Sequence, residues 1–160
     1  MKNIETKRLV IRKFTKKNGK GLQEFAAYKE STEFEKFHQW PTDAKSCTNL
    51  AKHFSTLDSF KAVCRKDDGH CIGFVAFNGI DEDKCLDMGH GFTPQYSQND
   101  EDIEALSAMI QYAFDTLDIE AVITRNEPEW DYQCAPIIKL GFVKFDDGMR
   151  MTRDMWMCKK

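Results

Sequence analysis

The sequence predicts a single α/β (α+β) domain, in which a mixed, mostly antiparallel sheet carries helices on both faces. Its 160 residues, 41% of them hydrophobic, suffice for one core and one domain spanning residues 1–160. The spacing of hydrophobic residues predicts, in order along the chain, a strand, two helices, three strands, a helix, a strand, a helix and two strands. A helix between two strands is typical of a parallel crossover, and short turns between strands are typical of antiparallel pairs.

The amino-terminal part of the chain begins with a strand and two helices. Apolar and basic residues alternate over residues 6–14, which predicts a strand. Apolar residues at helical spacing follow over 22–29 and over 44–59. The segment 34–40 between them holds aromatic residues without a period. We therefore expect this segment to be irregular.

Three strands are predicted in the middle of the chain. Residues 60–65 and 71–77 form a hairpin, in which Gly69 supplies the positive φ that a tight turn requires. A third strand at 86–92 follows an acidic turn. The middle of the chain is therefore expected to add a β-meander to the sheet.

The clearest helix lies at 103–117, where apolar residues recur every three or four positions. A β-rich run at 121–125 follows it and completes the crossover. The last helix is predicted within 131–140. Because Pro136 fits the first turn of a helix better than its middle, we expect this helix to begin only near Cys134.

The carboxyl-terminal part is predicted to contain two strands, at 142–145 and 149–158, joined by an Asp-Asp-Gly turn. Methionines at alternate positions near the end of the chain either pack in the core or line an edge strand that pairs with another subunit. These methionines are Met149, Met151, Met155 and Met157. The oligomeric state is left open.

Composition excludes several classes of protein. With 23 basic and 26 acidic side chains, the net charge of −3 provides no attraction to nucleic acid or to an anionic membrane surface. No apolar run approaches the roughly 18 residues that span a bilayer. The six cysteines include no C-x-x-C pair, which indicates reduced thiols. We expect a cytoplasmic protein without nucleic-acid or membrane partners, and no metal site.

Four short motifs stand in order along nearly the whole chain. Residues 5–14 are close to the pattern T-x-R-L-x-L-R-x-F, and residues 139–142 read K-L-G-F. Between them lie 89–96, which begins Gly-His-Gly-Phe, and the helical segment 104–114. Together these motifs resemble the GNAT N-acetyltransferase superfamily, and within it the branch of ribosomal-protein N-terminal acetyltransferases. The resemblance implies a GNAT fold and transfer of an acetyl group from acetyl-CoA to an amine.

The resemblance also assigns residues to the cofactor. Backbone groups after the third strand would bind the pantetheine amides, and the loop before the central helix would hold the diphosphate at the helix amino end. The residues so assigned are Phe92, Thr93, Gln95, Gln98, Asn99, Asp100, Glu101 and Asp102. Trp130 stands before the last helix, where the family has an asparagine that meets the pantetheine arm, and its bulk could fill that slot instead.

The predicted diphosphate loop diverges from the family pattern. The family has glycine at positions 98 and 100 and a small residue at 102, where this chain has Gln98, Asp100 and Asp102, with Glu101 between the two aspartates. At about 5 Å and an effective dielectric near 20, each carboxylate opposes a phosphate charge by roughly 3 kcal/mol. The same acids are typical of helix capping, in which Asn99 or Asp100 would accept backbone N–H bonds.

Candidate residues for catalysis and acceptor binding follow from the same resemblance. Asp87 stands where the branch has a glutamate that faces the cleft, and it is either the general base or an exposed strand residue. Gln133 could donate a hydrogen bond to the leaving thiolate. His38 and Trp40 either shape the pocket of a small-molecule or peptide amine or form an aromatic patch of the core. His90 is expected to point away from Asp87.

Two functions remain open at this point. The first is a divergent acetyl-CoA-dependent N-acetyltransferase that acts on an unidentified amine. The second is a GNAT-fold protein that has lost acetyl-CoA binding and acts as a non-catalytic binding or regulatory module. The acidic loop favours the second function, whereas what is typical of the family favours the first.

Overall fold

The structure, a computed structural model, describes residues 1–30, 40–126 and 131–159, without the side chains of residues 131 and 132. Within these residues the strands are β1 (Ile4–Glu5), β2 (Leu9–Lys13), β3 (Phe60–Arg65), β4 (Cys71–Ile80), β5 (Cys85–Phe92), β6 (Ala121–Thr124), β7 (Val143–Phe145) and β8 (Gly148–Thr152). The helices are α1 (Gly19–Glu30), α2 (Ala44–Phe54), α3 (Pro94–Ser97), α4 (Glu101–Thr116), α5 (Asp131–Lys139) and α6 (Arg153–Met157), and a 3-10 turn spans Lys16–Asn18.

The eight described strands form one sheet in the order β1-β2-β3-β4-β5-β6-β8-β7. Strands β5 and β6 are parallel, and α4 connects them. The other neighbouring strands are antiparallel. The predicted fold class, with its parallel crossover, is therefore confirmed.

Two clusters of buried residues cover the two faces of the sheet. On the first face, Met88 and Phe92 of β5 share a cluster with Leu106 of α4 and with residues of α5 and α6. On the second face, Phe74 of β4 packs with Phe25 of α1 and with α2. Successive side chains of a strand point to opposite faces, so Met88 and Phe92 belong to the first cluster while Gly91 of β5 lies under Phe74 on the second face. No helix of the described residues is long and apolar enough to cross a membrane.

The last helix begins earlier than the proline suggested. Helix α5 starts at Asp131, and Pro136 lies inside it. Only about one turn of the helix precedes Pro136. The missing N–H of the proline therefore removes one backbone hydrogen bond, in that first turn. Its own carbonyl accepts the N–H of Leu140 at 3.0 Å, which continues the helix beyond the proline.

The predicted strand at 149–158 is wrong in its second half. Strand β8 ends at Thr152, whose hydroxyl accepts the N–H of Met155 at 3.2 Å and so caps α6. Met149 and Met151 lie buried between β6 and β7, not at an edge of the sheet. Helix α2 is also shorter than predicted and ends at Phe54. Most of the segment 34–40 lies outside the described residues.

Candidate functional site

Strands β5 and β6 diverge, and we call the space between them the β5–β6 opening. Three register pairs join residues 85–87 of β5 to residues 121–123 of β6. Strand β4, in contrast, stays paired with β5 over seven positions, as far as Phe92. Among the described residues, the β6-facing edge of residues 88–91 therefore has no partner strand. Its backbone N–H and C=O groups are directed into the opening.

His90 of β5 lies at this opening and bonds to α5 across it. Its Nε2 is 2.8 Å from the carbonyl oxygen of Gln133 in the first turns of α5. A carbonyl only accepts hydrogen bonds, so Nε2 carries the proton and Nδ1 of the neutral ring has a free lone pair. Burial lowers the pKa of His90, which keeps the ring neutral. Within the described structure, the buried Nδ1 atom has no hydrogen-bond partner.

Thr124, the last residue of β6, brings a second unpaired polar atom to the opening. Its Oγ1 is buried and has no partner among the described residues. Thr124 follows Ile123, which is in register with Asp87, so alternation places Thr124 and His90 on the same face of the sheet. No sequence signal marks Thr124 as a site residue, because a threonine at the end of a β-branched run is ordinary in a strand.

Asp87 lies on the opposite face of β5 from His90, as strand alternation predicts. Its side chain is 28% exposed, and its Oδ2 is 3.7 Å from Nε of Arg125, which follows β6. Arg125 also lies 3.5 Å from Asp147. The Asp87 carboxylate is therefore accessible to solvent and lies where the two strands begin to separate.

Gly89 and Gly91 lie on the same face of β5 as Asp87, and different residues pack above each of them. A Cβ atom at Gly91 would lie 2.5 Å from the ring of Phe74, so that site is closed by packing. At Gly89 it would meet only the Nδ2 of Asn78, at 3.3 Å, and a methyl group at 3.7 Å. The surface beside Asp87 is thus open above Gly89 and has an exposed amide, Asn78, at its border.

Trp40 belongs to the aromatic cluster on this same face. Its ring centroid is 5.5 Å from those of Phe25 and Phe74, and the Nζ of Lys29 lies 5.0 Å from the indole. Burial lowers the pKa of Lys29 to about 8. Trp40 is only half-buried, so it both packs in the cluster and borders solvent. His38 and Trp130 lie outside the described residues.

Glu101, at the amino end of α4, is held by Arg65 of β3. The guanidinium makes two bonds to the carboxylate, from Nε at 2.9 Å and from Nη2 at 2.7 Å. It also stacks 4.7 Å from the ring of Tyr96. The hydrogen bonds to Glu101 raise the pKa of Arg65. Only 6% of the Glu101 side chain is exposed, against 26% of the Arg65 side chain, so the carboxylate is buried and the guanidinium is partly buried.

Asp100 is the N-cap residue of α4, but its side chain makes no capping bond. It pairs instead with the Nζ of Lys139 at the end of α5. The expectation that Asn99 or Asp100 caps the helix is therefore wrong. Asp100 adopts φ 56°, ψ 27°, the left-handed conformation that glycine takes most readily and that aspartate tolerates better than most residues.

The remaining acids of this helix end are Asp102 and Glu104. Asp102 is 3% exposed, and its Oδ1 accepts the N–H of Ile103 at 2.8 Å. Glu104 accepts bonds from the Thr6 hydroxyl at 2.5 Å and from the N–H and Nε of Arg8. Burial alone would raise the pKa of Glu104, but these hydrogen bonds outweigh it and lower the pKa.

The other residues assigned to the cofactor lie between β5 and α4. Phe92 and Thr93 are buried, whereas Gln95, Gln98 and Asn99 are exposed. Gln133 contributes its backbone carbonyl to the bond with His90, and its side chain is partly exposed. The described residues contain no cluster of three or more histidine, cysteine or acidic side chains that could hold a metal ion.

Known proteins share this fold and sequence pattern. Residues 8–143 match the model of a family described as acetyltransferase (GNAT) domain. Over 129 residues the chain is 26% identical to the uncharacterized N-acetyltransferase YnaD of Bacillus subtilis (strain 168). The alignment covers 79% of this chain and 74% of that protein.

Solved structures resemble the whole chain. An acetyltransferase of the GNAT family from Bacillus anthracis superposes with a TM-score of 0.80 at 16% identity, covering 96% of this chain and 99% of that one. A putative ribosomal-protein-serine acetyltransferase from Vibrio cholerae superposes with a TM-score of 0.76 at 16% identity, covering 94% and 97%. At these identities the similarity shows the fold alone.

Proposed function

The chain belongs to the acetyltransferase (GNAT) domain family, and from this we propose that it is an acetyl-CoA-dependent N-acetyltransferase with a divergent diphosphate loop. Its acceptor is an amine of a small molecule or a peptide. When bound, acetyl-CoA supplies the activated acetyl group. The observation that carries the proposal is the β5–β6 opening with its unpaired polar groups.

The opening fits the pantetheine arm of acetyl-CoA. That arm contains two amides, and the β6-facing edge of residues 88–91, which has no partner strand among the described residues, offers both donors and acceptors to them. The lone pair of His90 Nδ1 and the hydroxyl of Thr124 add two polar groups on one face. A buried polar atom without a partner costs about 1–3 kcal/mol. A ligand amide in the opening would recover part of this cost, which supports binding at this position.

The two faces of β5 support a division of roles. The Asp87 carboxylate would accept a proton from the acceptor amine, which lies over Gly89 beside Asn78. On the other side of the opening, the side-chain amide of Gln133 would donate a hydrogen bond to the departing sulfur. His90 would position the first turns of α5 through the Gln133 carbonyl.

Charge at the amino end of α4 decides whether the diphosphate can bind. Each carboxylate about 5 Å from a phosphate opposes it by roughly 3 kcal/mol at an effective dielectric of 20, and a basic group at that distance attracts it equally. Arg65 and Lys139 therefore offset Glu101 and Asp100 to first order. Among the described residues, Asp102 is the acid of residues 100–102 that has no salt bridge to a basic side chain. The left-handed backbone at Asp100 supports a loop that keeps the shape of the family's glycine loop.

Titration calorimetry with acetyl-CoA and CoA tests this proposal. We expect weak binding by the wild-type protein and tighter binding by Asp102→Asn. Asp115→Asn is the matched control, because it removes the same charge from the last turn of the same helix. This control is expected to bind like the wild type. Equal effects of the two changes would mean that the cofactor does not lie at the amino end of α4.

The acceptor class is tested by release of the CoA thiol with a panel of amines. Peptides with free amino termini are the first acceptors to test, because the sequence resembles the ribosomal-protein branch and the Vibrio cholerae relative is called a putative ribosomal-protein-serine acetyltransferase. Asp87→Asn is expected to lower kcat with little change in cofactor affinity. Loss of cofactor binding instead would remove Asp87 from the role of base.

The second function, a non-catalytic binding or regulatory module, has its own supporting observation. The acids at the amino end of α4 are already paired with Arg65, Lys139 and Arg8, which leaves these basic groups less available to a phosphate. If neither the wild-type protein nor a variant with residues 100–102 neutralised binds acetyl-CoA at millimolar concentration, the module is the better description.

A further inference from the structure

Cys64 of β3 and Cys71 of β4 are direct partners across the β3–β4 hairpin. On the turn side of this pair the N–H of Arg65 donates to the carbonyl of His70 at 2.9 Å, and on the other side the register of the two strands shifts between Val63 and Cys64. Opposed residues of an antiparallel pair have Cα atoms about 4.5–5.5 Å apart, and the two thiols are close enough to hydrogen-bond to each other. A disulfide requires Cα atoms about 4.4–6.8 Å apart, so this backbone can accept one.

The surroundings of Cys64 favour its thiolate. Its sulfur receives a hydrogen bond from the Cys71 thiol and one from the Nδ2 of Asn18 at 3.6 Å, and the charge of Arg12 is near. The bond from Cys71 has the largest influence, and together these groups lower the pKa of Cys64 in spite of its burial. A thiolate is the form of cysteine that attacks an oxidant.

Cys71 is held in the protonated form. Its bond to Cys64 and its burial raise its pKa well above the ordinary value, and the carbonyl oxygen of Gly73, 3.4 Å from its sulfur, is a second acceptor for the same thiol proton. Two other buried cysteines provide a contrast, because burial raises the pKa of both Cys47 and Cys85. The hairpin thus joins a cysteine whose pKa is lowered to a neighbouring cysteine whose pKa is raised.

We propose that Cys64 and Cys71 form a redox-active dithiol that reduces hydrogen peroxide and closes to a disulfide across the hairpin. The Cys64 thiolate attacks one peroxide oxygen, the O–O bond breaks, and hydroxide leaves and takes up a proton to form water. Cys64 is then a sulfenic acid. The sulfur of Cys71 displaces the hydroxyl group, the S–S bond forms, and a second water carries away the Cys71 proton.

Access to this pair requires a local opening of the structure. Cys64 and Cys71 are 2% and 3% exposed, so peroxide reaches them when the turn end of the hairpin opens. Hydrogen peroxide is little larger than water, and the pair lies next to the exposed turn at residues 67–69. No part of this proposal depends on acetyl transfer.

Peptide mapping of peroxide-treated protein tests the proposal. The reduced protein with Cys158→Ser, which removes the exposed cysteine, is treated with hydrogen peroxide near neutral pH, alkylated and mapped by mass spectrometry. We expect a cross-linked pair of peptides, lighter by about 2 Da than its reduced form and separated by dithiothreitol. Cys47 and Cys85 are expected to remain open to alkylation after unfolding.

Single variants assign the two roles. In Cys71→Ser, Cys64 is expected to be trapped by dimedone as the sulfenic acid, whereas in Cys64→Ser, Cys71 is expected to stay reduced. If either variant fails to fold, the map of the protein with both cysteines still decides. The proposal is overturned if Cys64 and Cys71 stay reduced under peroxide that oxidises Cys158 in the wild-type chain, or if Cys47 and Cys85 are oxidised equally fast.

Discussion

The Nε2 nitrogen of His90 lies 2.8 Å from the carbonyl oxygen of Gln133, and this contact ties β5 to α5 where β5 and β6 separate. Because the carbonyl fixes the proton on Nε2, the lone pair of the imidazole is fixed on Nδ1. A single hydrogen bond therefore determines which polar atom the ring leaves unpaired at the β5–β6 opening.

We expect His90 to be neutral and in the Nε2–H form in solution at neutral pH. Burial lowers its pKa, since the charged ring would lose its hydration. The ¹⁵N shifts of the imidazole nitrogens measure the tautomer, and a titration followed by NMR measures the pKa, with His53 as an exposed reference. An Nδ1–H tautomer, or a pKa of His90 at or above the ordinary value of about 6.5, would contradict this assignment.

The same shift predicts how stability depends on pH. The folded pKa of His90 lies below the unfolded value of about 6.5, so the folded state binds fewer protons. The contribution of His90 to the free energy of unfolding is fully present above about pH 6.5 and decreases as the pH falls below that value. In His90→Gln, which keeps a donor for the Gln133 carbonyl, urea unfolding is expected to lose less stability between about pH 7 and pH 5. Identical slopes for the two proteins would remove His90 as the cause.

The partly buried ion pair of Arg65 and Glu101 is predicted to couple β3 to α4. Arg65→Met leaves the Glu101 carboxylate, which is 6% exposed, without its partner. We expect the free energy of unfolding to fall by about 2 kcal/mol. This is less than is usual for a fully buried pair, because Arg65 is partly exposed. Adding Glu101→Gln to the Arg65→Met variant removes the unpaired charge and should restore part of the lost stability. Urea unfolding of the two single variants and the double variant gives the coupling energy, for which we expect about 1–2 kcal/mol. Strict additivity would show that the pair does not connect the elements energetically.

Acid unfolding is predicted to involve Glu104. Its pKa is lowered in the folded state, so the stability it contributes is present above the unfolded value of about 4.3 and is lost as the pH falls through the folded pKa. Glu104→Gln should therefore flatten the decline in stability below about pH 5. Glu82→Gln, in the exposed turn before β5, is the matched control and should leave the decline unchanged. Unfolding midpoints measured from neutral to acidic pH distinguish the two variants.

Local patterns in the sequence predicted the elements well but could not show how distant elements contact each other. The period of α4 and the crossover to β6 are properties of neighbouring residues, and both were readable. The acids at positions 100 and 101 looked like a helix cap, because Arg65 and Lys139 lie 36 and 39 residues away along the chain. Only the folded structure brings these charges together.

The β5–β6 opening was hidden for a related reason. It arises because the register between β5 and β6 ends after Asp87, and hydrophobic alternation does not specify how far two strands stay paired. The error at the carboxyl end has a different origin. Alternate methionines continue past Thr152, so the strand period obscured the cap at Thr152 that begins α6.

Gly89 and Gly91 offer a test that separates function from packing, because they lie two residues apart on the same face of β5. A methyl group at Gly91 would lie 2.5 Å from Phe74 and 2.6 Å from Phe25, both in a packed cluster. Gly91→Ala is therefore expected to cost about 1–3 kcal/mol of stability through overpacking. At Gly89 the nearest atom is the flexible amide of Asn78 at 3.3 Å, so Gly89→Ala should change stability by less than about 0.5 kcal/mol.

The effect of Gly89→Ala on acetyl transfer is expected to be larger than its effect on stability. If the acceptor amine lies over Gly89 beside Asp87, the added methyl group narrows that space and raises KM for the acceptor, while the affinity for acetyl-CoA stays the same. Thermal unfolding, calorimetry and steady-state kinetics on Gly89→Ala and Gly91→Ala measure these quantities separately. A Gly89→Ala variant with unchanged KM would move the acceptor away from this face of β5.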